Sequence, residues 1–373
     1  MIPYGRQSID DQDIKFVVDA LKGEWLTTGP QVEIFEQELE LVLGAPTVAV
    51  TSGTAALHCA YAAIGIEPGD EIITPPITFI ATQATAAIMG AKIVFADVLP
   101  ETANIDAKAV EAVITSRTKA IVAVDFAGHP ADLDELRGLA DKFGVYLIED
   151  AAHSLGSTYK GRPVGSIADL TTFSFFPTKN MTTCEGGAVS STNPALLDKA
   201  RKFARQGLIR EKSQFKITSE GAWHQEVHNF GLNYRLPDVL CALGVSQLNR
   251  LPQFKSRRRE IFDYYKESLG DLEFIQTPME KDFVDSNWHL FPIRVPKSDR
   301  RSIYDFLRKN EIGVQINYLP AHLHPVFETA GFKRGDFPNA EDFYDCEISL
   351  PIYYGLSAED LARIVDVLRS VDL

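Results

Sequence analysis

Residues 171–191 read TTFSFFPTKNMTTCEGGAVSS: an aromatic and β-branched run, a lysine, and a Thr/Gly-rich return into a second apolar run. LTTFSFF and GGAVSS therefore read as two strands joined by a loop that carries the lysine. Five more runs of the same kind precede them: TVAVTS (47–52), EIITPP (71–76), KIVFADV (92–98), KAIVAVDF (119–126) and VYLIEDA (145–151). Helical periods separate them. One carries Leu57, Tyr61 and Ile64 and closes at Gly65; one runs from about Ala81 to Met89; one carries Leu133, Leu136, Ala140 and Phe143 and ends at Gly144. Continuous β-rich runs alternating with helices predict an α/β fold with a mostly parallel, seven-stranded sheet covered on both faces.

Outward from this block the pattern changes. At the N-terminus, Ser8 with Asp11 resembles a capping box, and Ile14, Val17, Val18 and Leu21 form one apolar stripe before Gly23. A polar, irregular segment follows, then a second helix through Phe35 and Leu39. After about residue 250, RLPQFKSRRRE opens a long charged helix. WHLFPIRV, GVQINYL and EISLPI read as strands, with helices near 299–310 and 357–370. The expected division is a large domain over residues 1–250 and a smaller C-terminal α+β domain over 251–373.

A chain of 373 residues, 45% hydrophobic and 24% charged, has ordinary globular composition. The net charge of −14 argues against nucleic acid as a partner. Cys59, Cys184, Cys241 and Cys346 are scattered without a CxxC pair, which reads as reduced thiols and no zinc site. The N-terminus has no apolar signal region, and no stretch approaches the roughly 20 apolar residues of a membrane span. The expectation is a cytoplasmic protein without a membrane partner.

Three features carry chemistry. In TSGTAAL (51–57) a strand ends in small and hydroxyl residues and a helix starts at once, presenting free backbone N–H groups to an anion; Gly53 permits close approach. By itself this is also an ordinary helix cap. Asp150 ends the run VYLIED, at the edge where open α/β sheets bind ligands, with His153 three residues on. Asp150 could equally cap a turn, and nothing nearby completes a metal set, so no metal is expected. Lys179 has no charged neighbour from Thr171 to Thr178. Partial burial there would lower its pKa and expose the nucleophilic amine that a Schiff-base lysine requires. Ser174 can donate to a phosphate. Phe79, after TPPIT, offers a stacking face, with core packing as its rival reading. An anion cradle, a strand-end carboxylate and an amine are the parts that pyridoxal 5′-phosphate needs.

The chain resembles the fold-type I, pyridoxal-phosphate-dependent sugar aminotransferases of the DegT/DnrJ/EryC1/StrS family. The likeness runs through IPYGRQ, LTTGP, TSGTAALH, TFIATQAT, IEDAAHSLG, FSFFPTKNMTTCEGGAV, LNYRLPDVLCALGVSQL and AEDFYDCEISLP. The resemblance implies Lys179 as the Schiff-base lysine and Asp150 as the partner of the pyridine nitrogen. It makes Gly53, Thr54 and Ser174 phosphate contacts, Phe79 the stacking ring and His153 a neighbour of the cofactor hydroxyl. Asn233 would reach the phosphate from the other subunit of a homodimer with shared active sites, and Arg235 lies beside it. Within the family the fit is to the pseudaminic-acid branch, which aminates C4 of a UDP-linked 4-keto-6-deoxy sugar with L-glutamate as the expected donor. Tyr4, Glu24, Trp25, Leu26 and Thr27, with Gln315, Ile316, Asn317 and Tyr318, would line the sugar-nucleotide pocket. Two departures stand out: Phe176 where the family often has His, and Cys184 where it has a small residue.

Rival readings are an aminotransferase for another nucleotide-linked 4-keto-6-deoxy sugar, a sugar dehydratase of the same family, and a non-enzymatic sensor. The dehydratases replace the lysine with histidine, so Lys179 argues against them. Of the remaining residues, His58 is expected to pack within its helix, and His322 and His324 to lie in a solvated loop. Arg257, Arg258 and Arg259 read as a solvated helix face, and Cys184 as a buried small residue.

Overall fold

The computed structural model describes residues 1–217 and 219–372. Seven strands form the central sheet: β1 (Thr47–Val50), β2 (Glu71–Thr74), β3 (Lys92–Phe95), β4 (Thr118–Val124), β5 (Tyr146–Asp150), β6 (Leu170–Ser174) and β7 (Gly187–Ser190). Their order is β1-β7-β6-β5-β4-β2-β3. β7 runs antiparallel to both neighbours, β1 and β6, and the other pairings are parallel. All seven runs expected from sequence are in this sheet.

The strands are buried on both faces because helices cover both. Successive side chains alternate between faces: Ile72, Val122 and Ile148 join one apolar cluster, while Ile73, Ile121 and Leu147 join another. Among the described residues the helices are α1 (Asp11–Lys22), α2 (Pro30–Leu43), α3 (Gly53–Ala63), α4 (Ala81–Ile88), α5 (Ala107–Val113), α6 (Leu133–Phe143), α7 (Pro194–Ala204), α8 (Asp238–Leu269), α9 (Arg300–Lys309), α10 (Pro338–Cys346) and α11 (Ala358–Arg369). α3 and α7 belong to the first cluster and α6 to the second. α2 and the N-terminal half of α8 close a third around Phe35, Phe173 and Leu248.

The C-terminal region pairs β8 (Phe291–Arg294) antiparallel with β9 (Glu347–Leu350). They pack with α9, α11 and the C-terminal half of α8 around Phe262, Phe291, Ile348 and Ile364. α8 passes through residue 250 unbroken for 32 residues, with Pro252 inside it. The expected helix start at RLPQ is thus corrected. Leu248, Leu251 and Phe254 bury continuously around that turn, and this packing outweighs the cost of the proline. GVQINYL is corrected too: it contributes one bridge, Gln315 to Ser349, instead of a regular strand.

At the N-terminus the capping box is two residues later than expected. Asp10 accepts from the Asp13 N–H (2.9 Å) and Asp13 accepts from the Asp10 N–H (3.1 Å). Ser8 instead serves Arg250, which also binds the buried Asp13 at 2.7 Å. The apolar stripe of α1 faces outward: Ile14 is 54% exposed and Leu21 56%, followed by Trp25 at 55%.

Candidate active site

A cavity of about 420 Å³ opens at the carboxyl ends of the parallel strands, where open α/β sheets place their ligands. Its floor is the start of α3. Ser52 caps the helix by accepting from the Ala55 N–H at 3.0 Å, leaving the first-turn N–H groups of Gly53 and Thr54 at the cavity. A Cβ on Gly53 would lie 2.8 Å from the Ser174 Cβ. Only glycine lets the end of β6 and the start of α3 meet closely enough to present hydroxyl and backbone donors together. Gly187 has the same function one strand over, where a Cβ would lie 2.4 Å from the Ser52 carbonyl oxygen.

Asp150 ends β5 and is buried, accepting from the Thr82 hydroxyl (2.7 Å) and the Ala152 N–H (3.3 Å). Burial pushes its carboxyl above the usual range, opposed by the Thr82 hydroxyl and the charge of Lys179. Behind it, Glu149 and Asp125 form a buried carboxyl pair that burial also raises. Lys179 closes a turn through its N–H to the Phe176 carbonyl at 2.8 Å. Removal from water lowers its amine to about 8, partly countered by Asp150. About a tenth of the amine is therefore uncharged at pH 7, far more than for an ordinary lysine, and that form is the nucleophile.

His153 is buried and meets the Tyr318 hydroxyl at 3.2 Å through Nε2, while its Nδ1 has no partner. Burial holds it well below the ordinary imidazole range. Its ring lies 4.3 Å from that of His289. Phe79 is 60% exposed at the cavity, with its ring edge-on to Tyr318 at 6.2 Å, so it is not a core residue. Phe176 lines the same cavity.

Gly53, Thr54, Phe79, Asp150, His153, Ser174, Lys179 and Tyr318 are thus brought together. The other candidates are not in this cavity. Tyr4 and Asn317 are bonded to each other inside the C-terminal region (2.7 Å), and Ile316 packs on its core. Gln315 is exposed, as are Glu24, Trp25, Leu26 and Thr27. Asn233 and Arg235 lie beyond β1, in backbone bridges to Arg205 and Val50. Arg235 lines a second cavity of about 560 Å³, with Arg201, Arg205 and Arg210.

Several smaller expectations are corrected. Arg258 is buried and donates to the carbonyls of Trp288, His289 and Ile352, because α8 crosses the junction where those loops end. His322 is buried against Glu341 at 3.1 Å rather than solvated. His58 does pack in its helix, with its Nδ1 3.0 Å from the Tyr234 hydroxyl. Cys184 is exposed, at φ +66°, because its backbone turns there to return the chain to β7. Thr82, Thr178 and Glu185 also line the cavity and were missed in sequence. The signal for Thr178 was its place beside Lys179; Thr82 is distinguished only by the folding of α4 against β5.

The cavity suits pyridoxal phosphate on its own chemistry. It joins an anion cradle, a buried carboxylate with a hydroxyl donor, an amine of lowered pKa and an exposed aromatic face. Among the described residues no group of three or more His, Cys, Asp or Glu side chains could hold a metal ion, and no helix is long and apolar enough to cross a membrane.

Comparison with known proteins places this geometry. The model of the DegT/DnrJ/EryC1/StrS aminotransferase family matches residues 7–369. The chain is 38% identical to spore coat polysaccharide biosynthesis protein SpsC of Bacillus subtilis, over 99% of this chain and 97% of that one. It is also 38% identical to a UDP-4-amino-4,6-dideoxy-N-acetyl-beta-L-altrosamine transaminase of Campylobacter jejuni, over 100% of this chain and 97% of the relative. Among solved structures, PseC of Helicobacter pylori, an aminotransferase of pseudaminic acid biosynthesis, superposes with a TM-score of 0.92 at 33% identity. The match covers 99% of this chain and 98% of PseC.

Proposed function

Because the chain belongs to the DegT/DnrJ/EryC1/StrS aminotransferase family, and is a pyridoxal-phosphate-dependent sugar aminotransferase, we propose that it transfers an amine from L-glutamate to C4 of UDP-2-acetamido-2,6-dideoxy-β-L-arabino-hexos-4-ulose, a step of pseudaminic acid biosynthesis. The observation that carries the chemistry is the meeting of Lys179 and Asp150 in one cavity above the α3 cradle. The choice of sugar is supported by the C. jejuni relative, which matches over the whole chain.

When bound, pyridoxal phosphate supplies an aldehyde that condenses with amines and a ring that withdraws electrons. In this reading Gly53, Thr54 and Ser174 hold the phosphate, and Phe79 stacks on the ring. Asp150 keeps a proton on the ring nitrogen, and His153 stands beside the ring hydroxyl. Lys179 would carry a proton between the donor Cα and the cofactor C4′ as general acid–base. The same residues serve the second half-reaction, in which C4 of the keto sugar accepts the amine. The nucleotide supplies positioning energy remote from the reacting carbon.

The assembly in this reading is a homodimer. Asn233 and Arg235 lie outside their own chain's cavity, and the outward apolar face of α1 continues into Trp25 and Leu26. A two-fold partner would cover that face and bring Asn233 and Arg235, with the Glu24–Thr27 segment, to the other site. Turnover of UDP- and dTDP-linked 4-keto-6-deoxy sugars with L-glutamate, with product stereochemistry read by NMR, tests the substrate. Faster amination of a different sugar would replace it.

A further inference from the structure

A buried acid outside the cofactor cavity is connected to its wall by a short line of hydrogen bonds. Glu347, first residue of β9, has no exposed surface. Its Oε2 accepts from the Asn317 N–H at 2.7 Å, and its Oε1 is bonded to the Ser349 hydroxyl. The Asn317 side-chain amide donates to Ser349 Oγ (2.9 Å) and to the Tyr4 hydroxyl (2.7 Å). The next residue, Tyr318, leaves this network for the cavity, where its hydroxyl meets His153 and its ring meets Phe79. The backbone that aims Tyr318 is therefore anchored on a carboxyl from another element.

We propose that Glu347 is a positioning residue for the transamination: by holding the Asn317 N–H it sets Tyr318 against His153 and so fixes the wall of the cofactor cavity. This rests on the reading of that cavity as the site of reaction. Glu347 touches neither cofactor nor substrate in that reading and acts only through Asn317 and Tyr318.

The surroundings make the anchor sensitive to protonation. Burial pushes the Glu347 carboxyl up to about 8, opposed by the Ser349 hydroxyl, the Asn317 N–H and Arg300 of α9. Arg294 is its register partner on β8, but that guanidinium donates to the Pro100 carbonyl at 2.8 Å. Arg300 likewise donates to the Tyr344 carbonyl at 2.8 Å. The other groups facing it are the hydroxyls of Tyr4 and Tyr318, whose ionisation burial and the acid's charge both oppose, with Arg258 of α8 near Tyr4. No bonded cation neutralises Glu347 among the described residues. Below about 8 it is a neutral hydrogen-bonding hub; above, it is a buried charge drawn toward water, which loosens the Asn317–Tyr318 segment.

The test compares wild-type holoenzyme with Glu347→Gln and Glu347→Leu. The donor half-reaction is followed in single turnover by cofactor absorbance, using L-glutamate or whichever amino acid supports turnover. The glutamine keeps the hub neutral at every pH, and the leucine removes it. The wild-type maximal rate should fall as pH rises through about 8. That fall should vanish in Glu347→Gln with the rate at pH 7 held within about threefold. Glu347→Leu should lose about 10²-fold in maximal rate across the range, as expected for a wall group misplaced by about 1 Å. Thermal midpoints supply a readout independent of activity. The folded state keeps this proton between about 4.5 and about 8 while the unfolded chain releases it, so stability falls as pH rises across that window. That part of the slope should be missing in Glu347→Gln.

A fall near pH 8 that Glu347→Gln retains, a wild-type profile without one, or a wild-type maximal rate in Glu347→Leu overturns the proposal. If Glu347→Leu does not fold, the glutamine profile decides. Lys179 acts through its uncharged amine, so its own titration makes the rate rise with pH, opposite in sign to the fall assigned to Glu347. A failure of the UDP-sugar assignment would leave this comparison intact, since the donor half-reaction does not involve the sugar.

Discussion

The two large cavities are built from opposite materials. The one at the strand ends has Lys179 as its single Lys or Arg among the described residues, and presents the Gly53 and Thr54 N–H groups and the hydroxyls of Ser52, Ser174 and Thr178. The one beyond β1 is lined by Arg201, Arg205, Arg210 and Arg235. Arg201 is spoken for by Glu36 at 2.7 Å, but Arg205 has no acidic partner among the described residues. Burial and the three neighbouring arginines hold it below the ordinary guanidinium range. The contrast separates two tasks. Chemistry on an amine needs a lysine that can lose its proton, which a permanent guanidinium cannot do, and arginines beside it would compete for Asp150. The permanent cations of Arg201, Arg205, Arg210 and Arg235 lie on another surface, away from that amine.

The sharpest break of that comparison is at Lys179. Lys179→Ala should reduce turnover by about 10⁴-fold or more. Borohydride reduction of the wild-type holoenzyme should attach the cofactor to the peptide containing Lys179, and mass spectrometry of the variant should find no attachment. Labelling of another lysine would move the reacting amine elsewhere.

Asp150→Asn comes next. It keeps the Thr82 contact but removes the charge, and should slow the donor half-reaction by about 10²- to 10³-fold. Single-turnover kinetics equal to wild type would deny Asp150 its place at the ring nitrogen.

A smaller effect is expected at the cradle. In Gly53→Ala the added methyl meets Ser174 Cβ at 2.8 Å, a clash that costs about 1–3 kcal/mol. Cofactor affinity measured by equilibrium titration should weaken by about tenfold or more, with the Lys179 attachment still formed. Wild-type affinity would mean that the phosphate lies elsewhere.

The mildest effect bears on the outer groove. Lys179→Ala and Asn233→Ala, each folded and inactive alone, should recover about a quarter of native activity after random subunit exchange, because one site of each hybrid carries neither lesion. No recovery despite demonstrated exchange would show that each chain completes its own site.

Much of the fold was legible because its signals are local. Seven apolar runs, the stop at Gly144 and the small residues of TSGTAAL each report a backbone requirement within a few positions. Asp150 and Lys179 were legible for a related reason: a carboxylate ending a buried run, and a lysine fenced by uncharged residues, are unusual in themselves. The resemblance to the family then assigned them roles.

Less local matters were misread. Arg258 in RRRE looks like any solvated charge, since its partners are carbonyls about 30 and 94 residues away. Tyr4 and Asn317 carry no local sign that their polar atoms meet each other and Ser349. The stripe of α1 was legible but its outward direction was not, because amphipathicity records that a helix face avoids water and not which surface covers it.

By itself, then, the amino-acid sequence determined the strand and helix alternation, the anion-binding turn, the strand-end carboxylate and the candidate amine, all properties of short segments. Tertiary structure alone decided that Thr82 would meet Asp150, that Tyr318 would wall the cavity while Asn317 turned inward to Glu347, and that Asn233 and Arg235 would lie outside it. The physical reason is that hydrogen bonds and burial between segments 30 to 165 residues apart depend on where the packed sheet delivers them, and no local spacing encodes that.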